Sequence, residues 1–341
     1  MIVRSRAPLR LGLAGGGTDV SPYCDKYGGF VLNATIDKYA YTILEPTDNG
    51  AIEFVAADLG TRARYKVQPY IGFDGTLDLH KAVYNRIIKQ FNDNRSLSLK
   101  ITTFCEAPAG SGLGSSSTIV VSMIKAFVEY LNLPFGEYDI AHLAYEVERI
   151  DAALLGGKQD QYAAAFGGFN FIEFYENDSV LVNPLRVKNW IVCELESSLV
   201  LFYTGQSRES ANIIDEQSRN ARIEDAKPIE AMHQLKDAAI HMKESLLRAD
   251  FNGLADSMND SWVSKKATAK SITNSMIDEI YDTAMYNGAL AGKVSGAGGG
   301  GFLMFFVDPA KRVQVVNALS EFDGQVMTCH FVDQGVQAWV V

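Results

Sequence analysis

The segment Glu106-Ala-Pro-Ala-Gly-Ser-Gly-Leu-Gly-Ser-Ser-Ser117 carries the residue types of an anion cradle. Gly110, Gly112 and Gly114 admit positive φ and close backbone approach, while Ser115, Ser116 and Ser117 add hydroxyls and a candidate helix N-cap. Behind them Val120, Ile124, Phe127 and Leu131 recur at helical spacing, which predicts a helix from Ser115 to Leu131. Its first-turn N–H groups and positive dipole end would face back onto the loop, so the natural ligand is a phosphate. A Walker A loop is excluded because Gly114-Ser115-Ser116 has no lysine. A second run, Gly296-Ala-Gly298-Gly-Gly-Gly301, matches G-x-G-x-x-G, but Phe302 to Val307 after it reads as a buried strand where a dinucleotide fingerprint needs a helix.

A third glycine run lies in Ala7-Pro-Leu-Arg-Leu-Gly-Leu-Ala-Gly-Gly-Gly-Thr-Asp-Val20. Leu9, Leu11 and Leu13 alternate with Arg10 and Gly12, so a strand here turns its leucines to the core and Arg10 to the other face. Thr18 and Asp19 then offer a hydroxyl and a carboxylate, residue types that also serve as ordinary helix caps. Further along, Glu148 lies in a predicted helix and Asp160 follows Gly156-Gly-Lys-Gln. Spacing alone does not separate Glu148 from Glu146.

With these segments in hand, the chain resembles the GHMP kinases, the family of galactokinase, homoserine kinase, mevalonate kinase and phosphomevalonate kinase. Three family motifs occur in order: Pro8 to Asp19, Pro108 to Ser116, and Lys293-Val-Ser-Gly-Ala-Gly-Gly-Gly-Gly-Phe302. The resemblance implies phosphoryl transfer from ATP, with Asp160 as catalytic base and Arg10 holding it ionised beside the transferring group. It places ATP on Pro108, Gly110, Ser111, Gly112, Leu113, Gly114, Ser115 and Ser116, and Mg²⁺ on Ser116 and Glu148. Acceptor contacts would come from Gly16, Gly17, Thr18, Asp19, Arg208 and Gly298. Gly15-Gly-Gly-Thr-Asp19 departs from the Gly-Glu-His-Thr-Asp of galactokinases and looks most like members that phosphorylate D-glycero-D-manno-heptose 7-phosphate at its anomeric hydroxyl, with fucokinase-like enzymes next. An acceptor already bearing a phosphate needs its own cation, and the candidates are Arg208 first, then Lys158, Lys293 and the pair Lys265-Lys266. The product would feed nucleotide-heptose and surface-polysaccharide synthesis.

These residues need a scaffold of mixed type. Strands are predicted at Val3 to Leu13, Phe30 to Leu44, Leu97 to Phe104, Leu199 to Tyr203, Phe302 to Val307 and Val326 to Val341, the last folding back at Gln334-Gly335. Helices are predicted at Leu79 to Asn92, Ser115 to Leu131, Asp139 to Leu154, Pro228 to Ala249 and Met276 to Tyr286. The resemblance implies an α+β, two-lobed fold: a ribosomal-protein-like N-terminal lobe with a left-handed β-α-β unit at 1–186 and a ferredoxin-like lobe at 187–341. The predicted boundary lies near Asn183 to Asn189, at Pro184.

Composition fits such an enzyme. The 341 residues are 47% hydrophobic, enough for a large core. A net charge of −10 disfavours nucleic acid. Cys24, Cys105, Cys193 and Cys329 form no C-x-x-C pair and no metal-ligand spacing, which suggests reduced thiols and a cytoplasmic location. The apolar stretch after Ser117 is broken by Lys125, so no membrane span is expected. His142, His233 and His241 carry no catalytic signal. Two readings of other classes stay open: a non-catalytic nucleotide and sugar sensor, and an RNA-binding module.

Overall fold

A computed structural model of the protein describes residues 1–205, 210–223 and 226–341. In its first part β1 (Val3–Ala14), α1 (Tyr23–Tyr27), β2 (Gly29–Pro46), β3 (Ala51–Ala56), β4 (Thr61–Lys66), α2 (Asp78–Phe91) and β5 (Leu99–Cys105) precede the glycine loop. After it come α3 (Ser115–Leu131), α4 (Glu137–Glu146), a single π-helical turn at Val147–Asp151, α5 (Gln159–Phe166), β6 (Phe169–Phe174) and β7 (Val180–Pro184). The second part contains α6 (Asn189–Ser198), β8 (Leu199–Tyr203), α7 (Ser210–Arg222), α8 (Ala226–Arg248), α9 (Phe251–Thr268) and α10 (Ser275–Tyr286). It closes with β9 (Ala289–Val294), β10 (Phe302–Val307), α11 (Arg312–Leu319), β11 (Gln325–Met327) and β12 (Gln337–Val340).

Two sheets organise the described residues. The first runs β12-β1-β2-β5-β3-β4, with β6 on β2 and β7 on β6; the second runs β11-β8-β10-β9 and is antiparallel throughout. β3 and β5 are parallel, joined through β4 and α2. The 18-residue β2 is long enough to pair β6 with its first half and β5 with its second. One apolar core lies between the first sheet and α2 to α5, where Val120, Val121, Met123, Ile124 and Phe127 of α3 are fully buried. A second core joins the two parts: Leu9, Leu11 and Leu13 of β1 meet Met242 and Leu246 of α8, Met258 of α9 and Phe306 of β10. Each such side chain contributes about 1.5–3 kcal/mol, so the leucine stripe of β1 welds the halves together. Arg10 therefore projects from the other side of the strand, as the alternation required.

Several sequence expectations are corrected. Val326 to Val341 is not one strand folding back at Gln334-Gly335: β11 joins the second sheet on β8, and β12 crosses to the first sheet on β1. The helix expected from Asp139 to Leu154 ends at Glu146 and continues as the π-helical turn. Ser115 is not the N-cap of α3; Gly114 is, at φ 78°, and no side chain caps the helix. Strands β3, β4, β6, β7 and β9 and helices α1, α5, α6, α7, α9 and α11 are not among the elements the sequence predicts. In α9, the polar run Asn259-Asp-Ser and Gly253 mask the periodicity, and the helix is secured by its contact with α8 and by Asp250, whose side chain accepts from Gly253 N–H at 3.0 Å.

Candidate active site

The glycine loop and the start of α3 form one wall of a cleft of about 240 Å³. Because Gly114 takes the left-handed conformation and offers no side-chain oxygen, the first-turn N–H groups of α3 keep no capping partner on that side. Ser115, Ser116 and Ser117 line the cleft, with Ser116 exposed. The loop is braced from behind by the third motif. Ser295 Oγ donates to the Gly112 carbonyl at 3.1 Å, and Phe302 N–H donates to the Ser111 carbonyl at 3.0 Å. The backbones approach so closely that a Cβ on Gly296 would stand 2.7 Å from Gly112 Cα.

Leu113 and Ser111 are buried behind the wall, whereas Gly110, Gly112 and Gly114 face the cleft. Pro108 is exposed at the loop's start and is not part of the lining. Gly298 packs against the Ile272 backbone, where a Cβ would come within 2.9 Å of the Ile272 carbonyl oxygen; the cleft side of this run is Gly296 and Ala297.

Opposite the loop, Arg10 and Asp160 meet. Arg10 is 4% exposed and donates through Nε to Asp160 Oδ1 at 2.7 Å, through Nη2 to the same oxygen at 2.5 Å, and through Nη1 to the Gly112 carbonyl at 2.6 Å. It thus ties the first turn of α5, which carries Asp160, to the glycine loop. Asp160 Oδ2 lies against Gly114, 3.1 Å from where a Cβ would be. A larger residue at 114 would push the carboxylate from the helix N-terminus.

Glu148 sits on the π-helical turn, 1% exposed. Gln161 Nε2 donates to its Oε2 at 2.5 Å, and Arg149 Nη1 stands 3.8 Å from Oε1. Burial pushes its carboxyl above the ordinary range and the nearby Asp160 charge adds to that, against the opposing Arg149, Ser117 and Gln161. Such a buried, under-compensated carboxylate at a cleft wall suits a cation. Glu146 instead pairs with Arg86 at 2.8 Å outside the cleft, so the fold separates two glutamates that spacing could not.

Asp19 is 1% exposed and caps α5: its Oδ2 accepts from Lys158 N–H at 2.9 Å and Gln159 N–H at 3.1 Å, and its Oδ1 from Gly17 N–H at 3.0 Å and Gln159 Nε2 at 3.1 Å. Thr18 is fully buried, its hydroxyl bonded to the carbonyls of Gly15 and Phe30, and it does not line the cleft. These two residues shape the Gly15-Gly-Gly17 turn; Asp19 also lines the cleft, as Gly17 does, while Gly16 presents its carbonyl to Lys265 at 3.1 Å.

Among the candidate cations in the described residues, Lys265 alone lines the cleft. Lys158 is engaged by Asp178 at 2.6 Å, and Lys293 donates to the Gly12 and Leu13 carbonyls at 3.0 and 3.1 Å beneath the floor. Lys266 is exposed and lies over the Trp262 ring. Arg208 lies outside the described residues. Burial holds both Lys265 and Lys293 below the usual lysine range, with Asp19 partly offsetting it at Lys265. His142, His233 and His241 are absent from the lining. Sequence reasoning missed Arg149, Gln159 and Gln217, which do line it. No local pattern marks them, although Gln159 is the neighbour of the singled-out Asp160.

Comparison with known proteins agrees over the whole length. Residues 78–168 match the GHMP kinases N terminal domain, and residues 242–324 match the GHMP kinases C terminal family. The D-glycero-alpha-D-manno-heptose 7-phosphate kinase of Campylobacter jejuni subsp. jejuni is 51% identical over 337 residues, 99% of this chain and 98% of that protein. The L-fucokinase/L-fucose-1-P guanylyltransferase of Bacteroides fragilis is 26% identical, with 94% of this chain aligned to 36% of that protein. The crystal structure of a D-glycero-D-manno-heptose 1-phosphate kinase from Bacteroides thetaiotaomicron superposes with a TM-score of 0.85 at 49% identity, covering 99% of each chain.

Proposed function

This chain belongs to the GHMP kinase family, and from that premise we propose that it transfers the γ-phosphoryl group of ATP to the anomeric hydroxyl of D-glycero-D-manno-heptose 7-phosphate. The observation that carries the reading is the Arg10–Asp160 ion pair beside the uncapped N-terminus of α3. Asp160 Oδ1 is held by Arg10, which leaves Oδ2 to accept the hydroxyl proton as the new O–P bond forms and the bond to ADP breaks. Arg10 fixes the carboxylate's orientation before the reaction and offsets charge on the transferring group during it. The free N–H groups of Ser115 to Ser117 receive the phosphates of ATP.

Glu148 and the exposed Ser116 hydroxyl are the proposed protein donors for Mg²⁺, which when bound neutralises the β- and γ-phosphate charge. Two protein oxygens suit this ion, which keeps several waters, and among the described residues no group of three His, Cys, Asp or Glu side chains gathers. Residues 1–186 are proposed as the ATP-binding lobe and 187–341 as the second, with β12 crossing back to the first. No helix of the described residues is long and apolar enough to cross a membrane.

The test is ADP formation against a panel of heptose 7-phosphate, heptose 1-phosphate, free heptose, fucose and galactose. The 7-phosphate should react with the highest kcat/KM and yield the 1,7-bisphosphate. Equal or better turnover of fucose moves the assignment to a fucokinase-like enzyme, and preference for the 1-phosphate moves the acceptor to its other end.

A further inference from the structure

Lys265 is a cation of the cleft for which the transfer step supplies no task. It lies in the last turn of α9, 2% exposed, and its Nζ donates to the Gly16 carbonyl at 3.1 Å. An ammonium has three donors, so this one bond leaves two for the cleft. Among the described residues no carboxylate pairs with it, whereas Arg10 is held by Asp160, and Arg149 by the Gly157 carbonyl and the neighbouring Glu148. Asp19 offsets its charge only from beyond ion-pair distance, and a buried ammonium without a direct ion pair beside a ligand cavity is placed to receive an anionic group.

Its surroundings describe the ligand's chemistry. Gln217, 1% exposed, anchors its amide nitrogen on Thr268 at 2.8 Å, and Thr268 in turn bonds the Lys265 carbonyl at 2.8 Å. That chain fixes both side chains relative to each other, and the Gln217 amide nitrogen, the side-chain atom nearest Gly17, keeps its second hydrogen to donate to a phosphate oxygen. The loop contacts of Arg10 and Asp160 involve Gly112 and Gly114, whereas Lys265 and Gln217 meet Gly16 and Gly17. Within one cleft the two sets thus bear on different loops, Arg10 on the loop before α3 and Lys265 on the Gly16-Gly17 turn.

The geometry points to Lys265 as the residue that receives the phosphate already carried by the acceptor sugar, with Gln217 orienting it and the Gly16-Gly17 turn giving it room. This rests on the phosphorylated acceptor proposed above. It deepens that reading by choosing one cation from the several the sequence offered. Lys265 acts as a specificity residue, distinguishing a sugar phosphate from the same sugar without it.

The experiment compares kcat/KM for heptose 7-phosphate and for free heptose, together with the KM for ATP, in the wild-type protein and in Lys265→Met and Lys265→Arg. Methionine keeps the volume and removes the charge, and thermal melting checks that each variant folds. Loss of one charge-assisted contact should lower kcat/KM for the 7-phosphate by at least about tenfold while leaving the free sugar and the ATP KM within about twofold. Arginine should restore part of the loss. An equal loss for both sugars, or a rise in the ATP KM alone, overturns the assignment. Should Lys265→Met fail to fold, Gln217→Leu gives a second test, since it too must lower the preference for the phosphorylated sugar. A wild-type protein with no such preference overturns the acceptor reading itself, whereas a preference that survives in Lys265→Met overturns only the role of Lys265.

Discussion

In the sequence, Asp160 stands out as the proposed base only through its motif, and the fold adds a physical reason for the proposal: one oxygen is fixed by Arg10 and the other faces the helix N-terminus. Asp160→Asn should therefore fold and bind ATP normally but turn over roughly 10²–10⁴-fold more slowly; single-turnover kinetics with a parallel ATP titration measure both. Lys265 makes a pH-dependent prediction. Burial brings its ammonium down to about 8, with the Asp19 carboxylate opposing that fall and the Arg10 charge adding to it; Lys293, from β9, is depressed by the same burial and by Lys265. The folded pKa lies below the unfolded one, so between the two the unfolded chain binds more protons and stability rises with pH. Lys265→Met should accordingly be more stable than wild type at pH 7, and the gain should shrink as the pH approaches 10.5, as urea midpoints at the two pH values will show. A constant difference would mean that the lysine is not desolvated.

At the scale of elements, Asp19 illustrates why a site residue and a scaffold residue are hard to tell apart in sequence. The Thr18-Asp19 pair reads as a ligand contact or a cap, and the fold gives Asp19 both places, since it caps α5, the helix that carries Asp160, and lines the cleft. Asp19→Ala leaves those buried donors without an acceptor, so it should cost roughly 1–3 kcal/mol and reduce kcat as well, with Asp19→Asn recovering part of both. Chemical denaturation and steady-state rates on the pair of variants decide it; an Ala variant stable but inactive would make Asp19 a ligand contact instead. The interlocked loops give a second test. Gly112 has φ +84° and a Cβ there would overlap the Ser295 carbonyl, so Gly112→Ala should be destabilised and lose most activity, checked by melting temperature and ADP formation. What sequence could reveal was periodic and apolar: α3, β8 and β10 appear with the bounds the pattern gave. The edge strand β4, alternating polar residues, and the short α5 gave no comparable signal, and Glu148 needed the π-helical turn, which no periodicity announces.

For the whole molecule, the decisive feature is the return of β12 to β1. Sequence reading assigned that segment to a local hairpin because nearby strands usually pair. Instead Arg6 of β1 bonds Gln337 of β12 across 331 residues, at 3.0 Å through Nη2. A chain ending at Gly335 should melt at a lower temperature and bare the edge of β1, and a peptide of residues 336–341 added in trans should recover part of the loss by occupying that edge. Calorimetry with and without the peptide measures this, and an unchanged melting temperature on truncation would make the strand ornamental. The same connection sets a timetable for the ribosome. At about 5–20 residues per second, the partner of β1 is made roughly 15–70 seconds after β1 itself. During that interval the nascent first sheet displays an open, apolar-backed edge, and the cell must guard it until translation delivers the strand that closes it.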